Sequence, residues 1–239
     1  MLLLEVEGLT KYFGGLAATQ DVNFYIKERE IVGLIGPNGA GKTTLFNLIS
    51  GSFVPTAGII KFKGEIISGL KPHQICRRGI ARTFQLVELF RNMTVKENVL
   101  TASFFGFSEK RTTKVAEMEA MEILDFIGLS NLAGIIAKEL SIANQKRLEI
   151  ARALVTKPDL LLVDEAIAGL NPSEANETIL LLREIRDRGI TIFMIEHVMR
   201  AIMGISDRII VLHHGNIICE GKAEEVSRNR KVIEIYLGK

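Results

Sequence analysis

Only two cysteines, Cys76 and Cys219, occur in the 239 residues. A disulfide scaffold needs more, so the composition suits a reducing compartment. His73 stands three residues before Cys76 and can share a helix face with it, but two ligands do not make a zinc site. The His213-His214 pair reads as plain surface. An excess of charge of one sign is also missing: 30 basic residues meet 28 acidic ones, for a net charge of +2. The densest basic clusters, Arg77-Arg78 and Lys110-Arg111, are too short to track a phosphate backbone, so nucleic acid is not an expected partner. No apolar run reaches the ~18 residues of a membrane-spanning helix. The opening M-L-L-L-E-V-E-G-L has no basic start and is broken by Glu5 and Glu7, so it does not read as a signal peptide. A soluble, cytoplasmic chain is expected. There is no internal repeat and no low-complexity linker.

What is present is a globular composition, 47% hydrophobic and 24% charged. Its mean hydropathy of +0.23 leaves room for an apolar docking surface. The length suits one large α/β domain, or one with an inserted subdomain. Alternation in the first 30 residues predicts two strands, with Leu2, Leu4 and Val6 on one face and Val22, Phe24 and Ile26 on another. Gly14-Gly15 marks the turn between them. Ile31 to Ile35 reads as a buried strand, followed by a glycine-rich loop and a helix from about Lys42 to Ser50. Another short strand is predicted at Ile59 to Phe62. From about Gln85 to Lys157 the strand patterns vanish. A helix is predicted over Thr112 to Gly128, with Val115, Met118, Met121 and Leu124 at helical spacing, and another over Ser141 to Val155. Strands return at Leu160 to Val163 and Thr191 to Ile195, with a helix through Glu174 to Arg188 between them. Ile209 to Leu212 and Ile217 to Cys219 read as a hairpin. The alternation implies a mainly parallel sheet with an N-terminal antiparallel β portion and an inserted helical subdomain. The expected division is a nucleotide-binding core at 1–84 and 158–239 and a helical subdomain at about 85–157.

The sharpest chemical signal is Gly36, Pro37, Asn38, Gly39, Ala40, Gly41, Lys42, Thr43 and Thr44. It fits G-x-x-x-x-G-K-[ST] between a predicted strand and a predicted helix, the context of a phosphate-binding loop. Glycines let backbone N–H groups wrap phosphate oxygens, and the helix N-terminus adds partial positive charge. Lys42 is placed to reach the outer phosphates and Thr43 to offer a hydroxyl to Mg2+. The run Leu160 to Val163 then ends in Asp164-Glu165, two carboxylates at the strand end where open α/β sheets bind ligands. Asp164 suits a metal and Glu165 the attacking water.

Further residues narrow the class. L-S-I-A-N-Q-K-R-L-E-I-A-R-A-L from Leu140 to Leu154 resembles the signature segment of ATP-binding cassette (ABC) ATPases, whose usual core is L-S-G-G-Q. Gln85 in R-T-F-Q resembles the Q-loop, Gly169-Leu170-Asn171 the D-loop, and Glu196-His197 the switch histidine. Phe13 matches the aromatic that stacks on adenine, with Tyr12 as the alternative. The motifs occur in the family's order and cover essentially the whole chain. G-I-A-R-T-F-Q, L-F-R-N-M-T-V-K-E-N-V-L, A-G-L-N-P and M-G-I-S-D-R-I together resemble the ATPase subunits of branched-chain amino acid importers.

The resemblance implies two such chains meeting head to tail around two ATP molecules, with each ATP between one P-loop and the other chain's signature. Ser141, Ile142, Ala143 and Asn144 would act on the partner's ATP. In the chain's own site Phe13 would stack adenine, and Thr43, Asp164 and Gln85 would serve Mg2+. Gln85 and His197 would sense the γ-phosphate, and Glu165 would activate water. The implied partners are a second ABC ATPase subunit in a heterodimer, transmembrane permease subunits, and indirectly an extracytoplasmic solute-binding protein. The implied location is the cytoplasmic face of the membrane. A docking groove is expected near Gln85 to Val99 with Leu86, Leu89 and Phe90, the alternative being that Leu89 and Phe90 are core. Export of a lipid or lipopolysaccharide and a non-transport ABC ATPase are the other readings. The sequence departs from the family at Ile142, Ala143 and Asn144, at Ala166, where proline is usual, and at Asn171, where aspartate is usual. If Ala143 needs a positive φ, its strain would slow the partner's site.

Overall fold

In the computed structural model, which describes residues 1–85, 87–107 and 112–237, Ile31–Ile35 (β3) is buried at every position. It has parallel neighbours on both sides, β8 (Thr191–Ile195) and β9 (Arg208–His213). With no face open to water, such a strand has no reason to alternate. β7 (Leu160–Asp164) pairs in parallel with β8 and with β6 (Ile80–Arg82), and β10 (Asn216–Gly221) closes the other edge antiparallel to β9. The order is β10-β9-β3-β8-β7-β6. Asp164 and Leu34 both pair with Ile195, on opposite sides of β8, so β3 and β7 end at the same edge of the sheet.

A second sheet has the order β2-β1-β4-β5 and is antiparallel, formed by β1 (Leu2–Phe13), β2 (Leu16–Lys27), β4 (Ala57–Phe62) and β5 (Glu65–Ile66). Val22, Phe24 and Ile26 are buried as their alternation predicts. Leu2 is not: a register shift separates it from Leu4, and it is exposed while Leu4 and Val6 are buried.

The pleat of the parallel sheet feeds two cores. Leu160, Leu162, Phe193, Ile195, Ile210 and Leu212 face the antiparallel sheet and α1 (Lys42–Ile49). There the Phe193 ring lies 5.5 Å from Phe24 and 5.1 Å from Phe46. Their alternate neighbours Leu161, Val163, Ile192, Met194, Ile209 and Val211 face the other way. They join a core shared with α3 (Val95–Phe105), α4 (Thr113–Phe126), α5 (Ile142–Leu154), α6 (Pro172–Asp187) and α7 (Met199–Ile205). The helices of the 95–154 segment thus grow from the same core as the sheet. Short helices α2 (Pro72–Cys76) and α8 (Ala223–Arg228) and the terminal α9 (Arg230–Leu237) complete the chain.

The helical segment differs from its pattern in two places. α3 starts with a capping box: Glu97 N donates to Thr94 Oγ1, and Thr94 N donates to Glu97 Oε2. In α4 the buried positions are Ala116, Ala120 and Leu124. Val115 and Met118 face outward, because small alanines, not the larger residues beside them, let α4 close on its neighbours.

Candidate active site

The loop from Gly36 to Thr44 joins β3 to α1 at the ligand-facing edge of the sheet. Two of its glycines are sterically required. A Cβ on Gly36 would lie 2.1 Å from the Leu212 carbonyl oxygen. On Gly41, which has φ of 103°, it would lie 2.2 Å from the Ala18 carbonyl oxygen. The β9–β10 turn braces the loop from behind, since Gly215 N donates to Ala40 O and Gln20 N donates to Gly215 O. The first amides of α1 lack intrahelical partners and make an anion site of the loop. Lys42, the first residue of α1, is 6% exposed. Its ammonium donates to the carbonyls of Gly36 at 2.7 Å and Pro37 at 3.0 Å. Burial pushes its pKa down, and the nearby Glu165 and Asp164 carboxylates draw it back up.

Asp164 ends β7 and is buried. Burial raises its pKa, and Arg82 opposes that rise with a 3.0 Å bond from Nη2 to Oδ2. Arg82 also reaches Asn47 Oδ1 at 2.5 Å and Ser50 Oγ at 3.3 Å, at the end of α1. It lies against the rings of Phe46 and Phe84. Glu165 follows with φ of 51°, a left-handed backbone that costs a residue with a Cβ about 1–3 kcal/mol. His197 Nε2 lies 2.7 Å from Glu165 Oε1, and Gln85 Nε2 donates to Oε2 at 3.0 Å. The three residues expected to be catalytic therefore meet at one carboxylate.

A cleft of about 580 Å³ is lined by Phe13, Leu16 to Ala18, Asn38 to Thr44, Gln85, Glu165, His197 and His214. The Phe13 ring packs edge-on to Phe53 and sits under the Lys11 ammonium. Tyr12 is not on the cleft wall, so of the two aromatics Phe13 is the one beside the loop. Gly36, Pro37 and Asp164 stand behind the wall, the first two as acceptors for Lys42. For a metal, the Thr43 hydroxyl, the Asp164 carboxylate and the amide oxygen of Gln85 are hard oxygen donors. No group of three or more His, Cys, Asp or Glu able to hold a metal occurs among the described residues. The oxygen donors of Thr43, Asp164 and Gln85 are of the kind that suits Mg2+, which keeps waters and phosphate oxygens as its other ligands.

Ser141 to Asn144 stand apart from the cleft wall. Ser141 is the N-cap of α5, and its hydroxyl accepts from Asn144 N at 3.3 Å. Ile142 and Ala143 are the first helical residues, and Ala143 has no positive φ. The conditional strain at Ala143 is therefore absent, because a capped helix N-terminus tolerates a methyl group. Ile142 is 62% exposed. In the expected docking stretch Leu89 is half-buried against the core, while Phe90 is exposed under the Arg152 guanidinium. Leu86 lies outside the described residues.

Sequence reasoning missed Arg82, Lys146, Glu149 and Glu196. Arg82 had no signal in sequence, since its strand has three residues and its partner Asp164 lies 82 residues away. Glu196 is 1% exposed, and its Oε1 accepts from Ile167 N at 2.7 Å. Its burial is visible only in three dimensions.

The ABC transporter family model matches residues 19–168. A model described as branched-chain amino acid ATP-binding cassette transporter matches residues 216–239. The high-affinity branched-chain amino acid transport ATP-binding protein LivG of Salmonella typhimurium is 46% identical, over 99% of this chain and 98% of that protein. The corresponding protein BraF of Pseudomonas aeruginosa is 42% identical at the same coverage. A nucleotide-free ATP-binding cassette from an ABC transporter superposes with a TM-score of 0.91 at 32% identity, covering 100% of both chains. The ADP conformation of an ATP-binding cassette gives 0.91 at 34% identity with the same coverage. A dimeric cassette in a post-hydrolysis state with ADP and Pi gives 0.83 at 27% identity, over 92% of this chain and 99% of that one. On the match to the family model and the identity to these relatives, the chain belongs to the ATP-binding subunits of the ABC transporter family.

Proposed function

We propose that the chain is the ATP-binding and ATP-hydrolysing subunit of an ABC transporter that imports branched-chain amino acids. The observation that carries this is the convergence of Gln85 and His197 on Glu165 beside the P-loop lysine. The full-length likeness to branched-chain amino acid transport ATP-binding proteins supports the solute class.

Each residue has a role in this reading. Phe13 stacks the adenine. The amides from Gly36 to Thr44 surround the phosphates, and Lys42 exchanges its two carbonyl acceptors for phosphate oxygens. Thr43, Asp164 and Gln85 would hold Mg2+, which would neutralise charge on the phosphates. Glu165 takes the proton of the attacking water. Gln85 and His197, which occupy both oxygens of that carboxylate, leave it to contact the γ-phosphate when the site closes, and so free Glu165 to act as base. Ser141 to Asn144, at the N-terminus of α5, complete the site of a second ATPase subunit, in a heterodimer. The core at 1–84 and 158–239 holds nucleotide, and the helical subdomain at about 85–157 reaches the permease with Phe90. The complex sits at the cytoplasmic face of the membrane, and a solute-binding protein delivers the amino acid from outside.

The test is reconstitution with the permease subunits and the second ATPase in vesicles loaded with ATP, with the solute-binding protein added outside. Leucine uptake should depend on ATP and vanish with Lys42→Ala. Uptake that is indifferent to ATP, or a chain that binds no ATP, overturns the proposal.

A further inference from the structure

The loop that carries Glu165 is gripped from α5, a helix that does not line the cleft. Lys146 projects from α5, five residues after its cap Ser141. Its ammonium donates to two backbone carbonyls, Glu165 O at 2.7 Å and Ala168 O at 2.7 Å. Two more bonds hold the same loop. Glu165 N donates to Ile195 O at 2.9 Å, and Ile167 N donates to the buried carboxylate of Glu196 at 2.7 Å. Between these bonds Glu165 keeps its left-handed φ of 51°. An unfavourable backbone state persists only where its surroundings over-determine it. Lys146 is the only one of the three anchors that comes from outside the sheet edge. Burial pushes its pKa down, against the opposing pull of Glu196, Glu165 and Glu149.

Two faces are joined by this contact. The N-terminus of α5 carries Ser141 and the exposed Ile142. Less than two turns further on, the same helix holds the carbonyl of Glu165. A rigid helix moves as a body, so a shift at its N-terminus is passed to the loop.

We propose that Lys146 is a positioning residue that ties α5 to the backbone of Glu165 and couples the face turned toward a partner's nucleotide to the carboxylate serving this chain's own. The proposal rests on the function argued above. A lysine suits the task because one ammonium can donate to both carbonyls without competing with Gln85 or His197 for the Glu165 side chain. When α5 moves, the left-handed turn at Glu165 moves with it, and the carboxylate is re-aimed.

The test uses the full chain together with the second ATPase subunit, and fluorescent mant-ATP. Lys146→Met removes the donor and keeps the stem. It should lower kcat by about ten-fold or more, with KM and mant-ATP affinity within about two-fold of wild type. Lys146→Arg, which can also donate to two carbonyls, should restore at least about half of kcat. In a Glu165→Gln background, ATP should still drive pairing of the Lys146→Met chain with the second ATPase subunit on size exclusion. A purely structural role would lower affinity and turnover together. The inference is overturned if Lys146→Met keeps kcat within about two-fold, or loses mant-ATP affinity in parallel with kcat. If Lys146→Met does not melt cooperatively, Lys146→Gln is judged by the same criteria. A wild-type chain with no mant-ATP affinity fails the proposed function itself, and that outcome is distinct from a failure confined to Lys146.

Discussion

His197 Nε2 lies 2.7 Å from Glu165 Oε1, which makes His197 a direct partner of the proposed catalytic carboxylate. Gln85 takes the second oxygen at 3.0 Å. Each oxygen thus carries one partner, which holds the carboxylate in a fixed orientation at the cleft wall. The γ-phosphate is the group that both partners are proposed to prefer. Closure of the site and activation of the base are then one event.

Glu165→Gln tests that event. The amide keeps the size of the side chain and one acceptor oxygen for Gln85 or His197, but it cannot accept the proton. Turnover should fall by roughly 10²–10⁴, the usual cost of losing a general base. ATP affinity should remain near wild type. A steady-state ATPase assay with a parallel mant-ATP titration reads both. Turnover within a few-fold of wild type would remove Glu165 from the role.

The Arg82–Asp164 pair makes a second prediction. Both side chains are nearly inaccessible, at 7% and 2% exposure. Removing one partner of such a pair leaves a buried charge and costs about 3–5 kcal/mol, whereas replacing both costs far less. Arg82→Met should therefore destabilise the fold strongly in urea. Adding Asp164→Leu to it should recover at least about half of the loss. If the two single costs simply add, the pair is not what holds the strand ends together.

Much of this site was legible because its signals are local. The loop Gly36 to Thr44 and the strand ending in Asp164-Glu165 are written in consecutive residues, and β3, β7 and β8 are buried runs that read as such. The order of motifs brought in Gln85 and His197. What stayed hidden depends on distant partners. β6 has three residues, too few for a pattern. The left-handed turn at Glu165 is imposed by Ile195, Lys146 and Glu196 from two other parts of the chain. The inward face of α4 went to its alanines, which a search for large apolar residues passes over. The capping box at Thr94 and Glu97 was available in sequence, and it marks the start of α3 that the strand-poor reading of this stretch left without a helix.

Glu149 gives a pH-dependent prediction. Its side chain is buried under the stretch before Gln85 and accepts from Phe84 N at 3.0 Å. Burial pushes its pKa up from 4.5 to about 7, against the opposing pull of that amide and of Arg152. The folded chain thus keeps this proton over a range in which the unfolded chain has released it. Between these two pKa values the folded state binds more protons, so this group's contribution falls as pH rises. A shift of this size corresponds to roughly 3 kcal/mol. Glu149→Gln keeps an acceptor for Phe84 N and has nothing to ionise. It should be more stable than wild type at about pH 8, and the difference should shrink toward about pH 5. Urea midpoints at both values decide it. An equal difference at both would show that the carboxyl does not titrate in this range.

The departures in the signature lead to the last prediction. The usual glycines there invite the idea that alanine strains the turn. The geometry points the other way: Ser141 caps α5 through Asn144 N, and Ala143 already lies in the helix without a positive φ. In a helix, glycine is worse than alanine by about 0.5–1 kcal/mol, since it has more backbone freedom to lose. Ala143→Gly should therefore not rescue anything. It should lower the stability of the chain by about that amount, discounted for its place in the first turn, and leave turnover of the assembled transporter within about two-fold. Ser141→Ala should cost about 1 kcal/mol through the lost cap. It should also slow hydrolysis at the partner's site, which the hydroxyl is proposed to complete. Thermal melts of the isolated chain measure the first pair of effects. The turnover of mixed complexes, in which only one chain's catalytic glutamate is intact, measures the second. A several-fold gain in the partner's turnover from Ala143→Gly would mean that the alanine does hinder the site and that the helical start of α5 is not the working conformation.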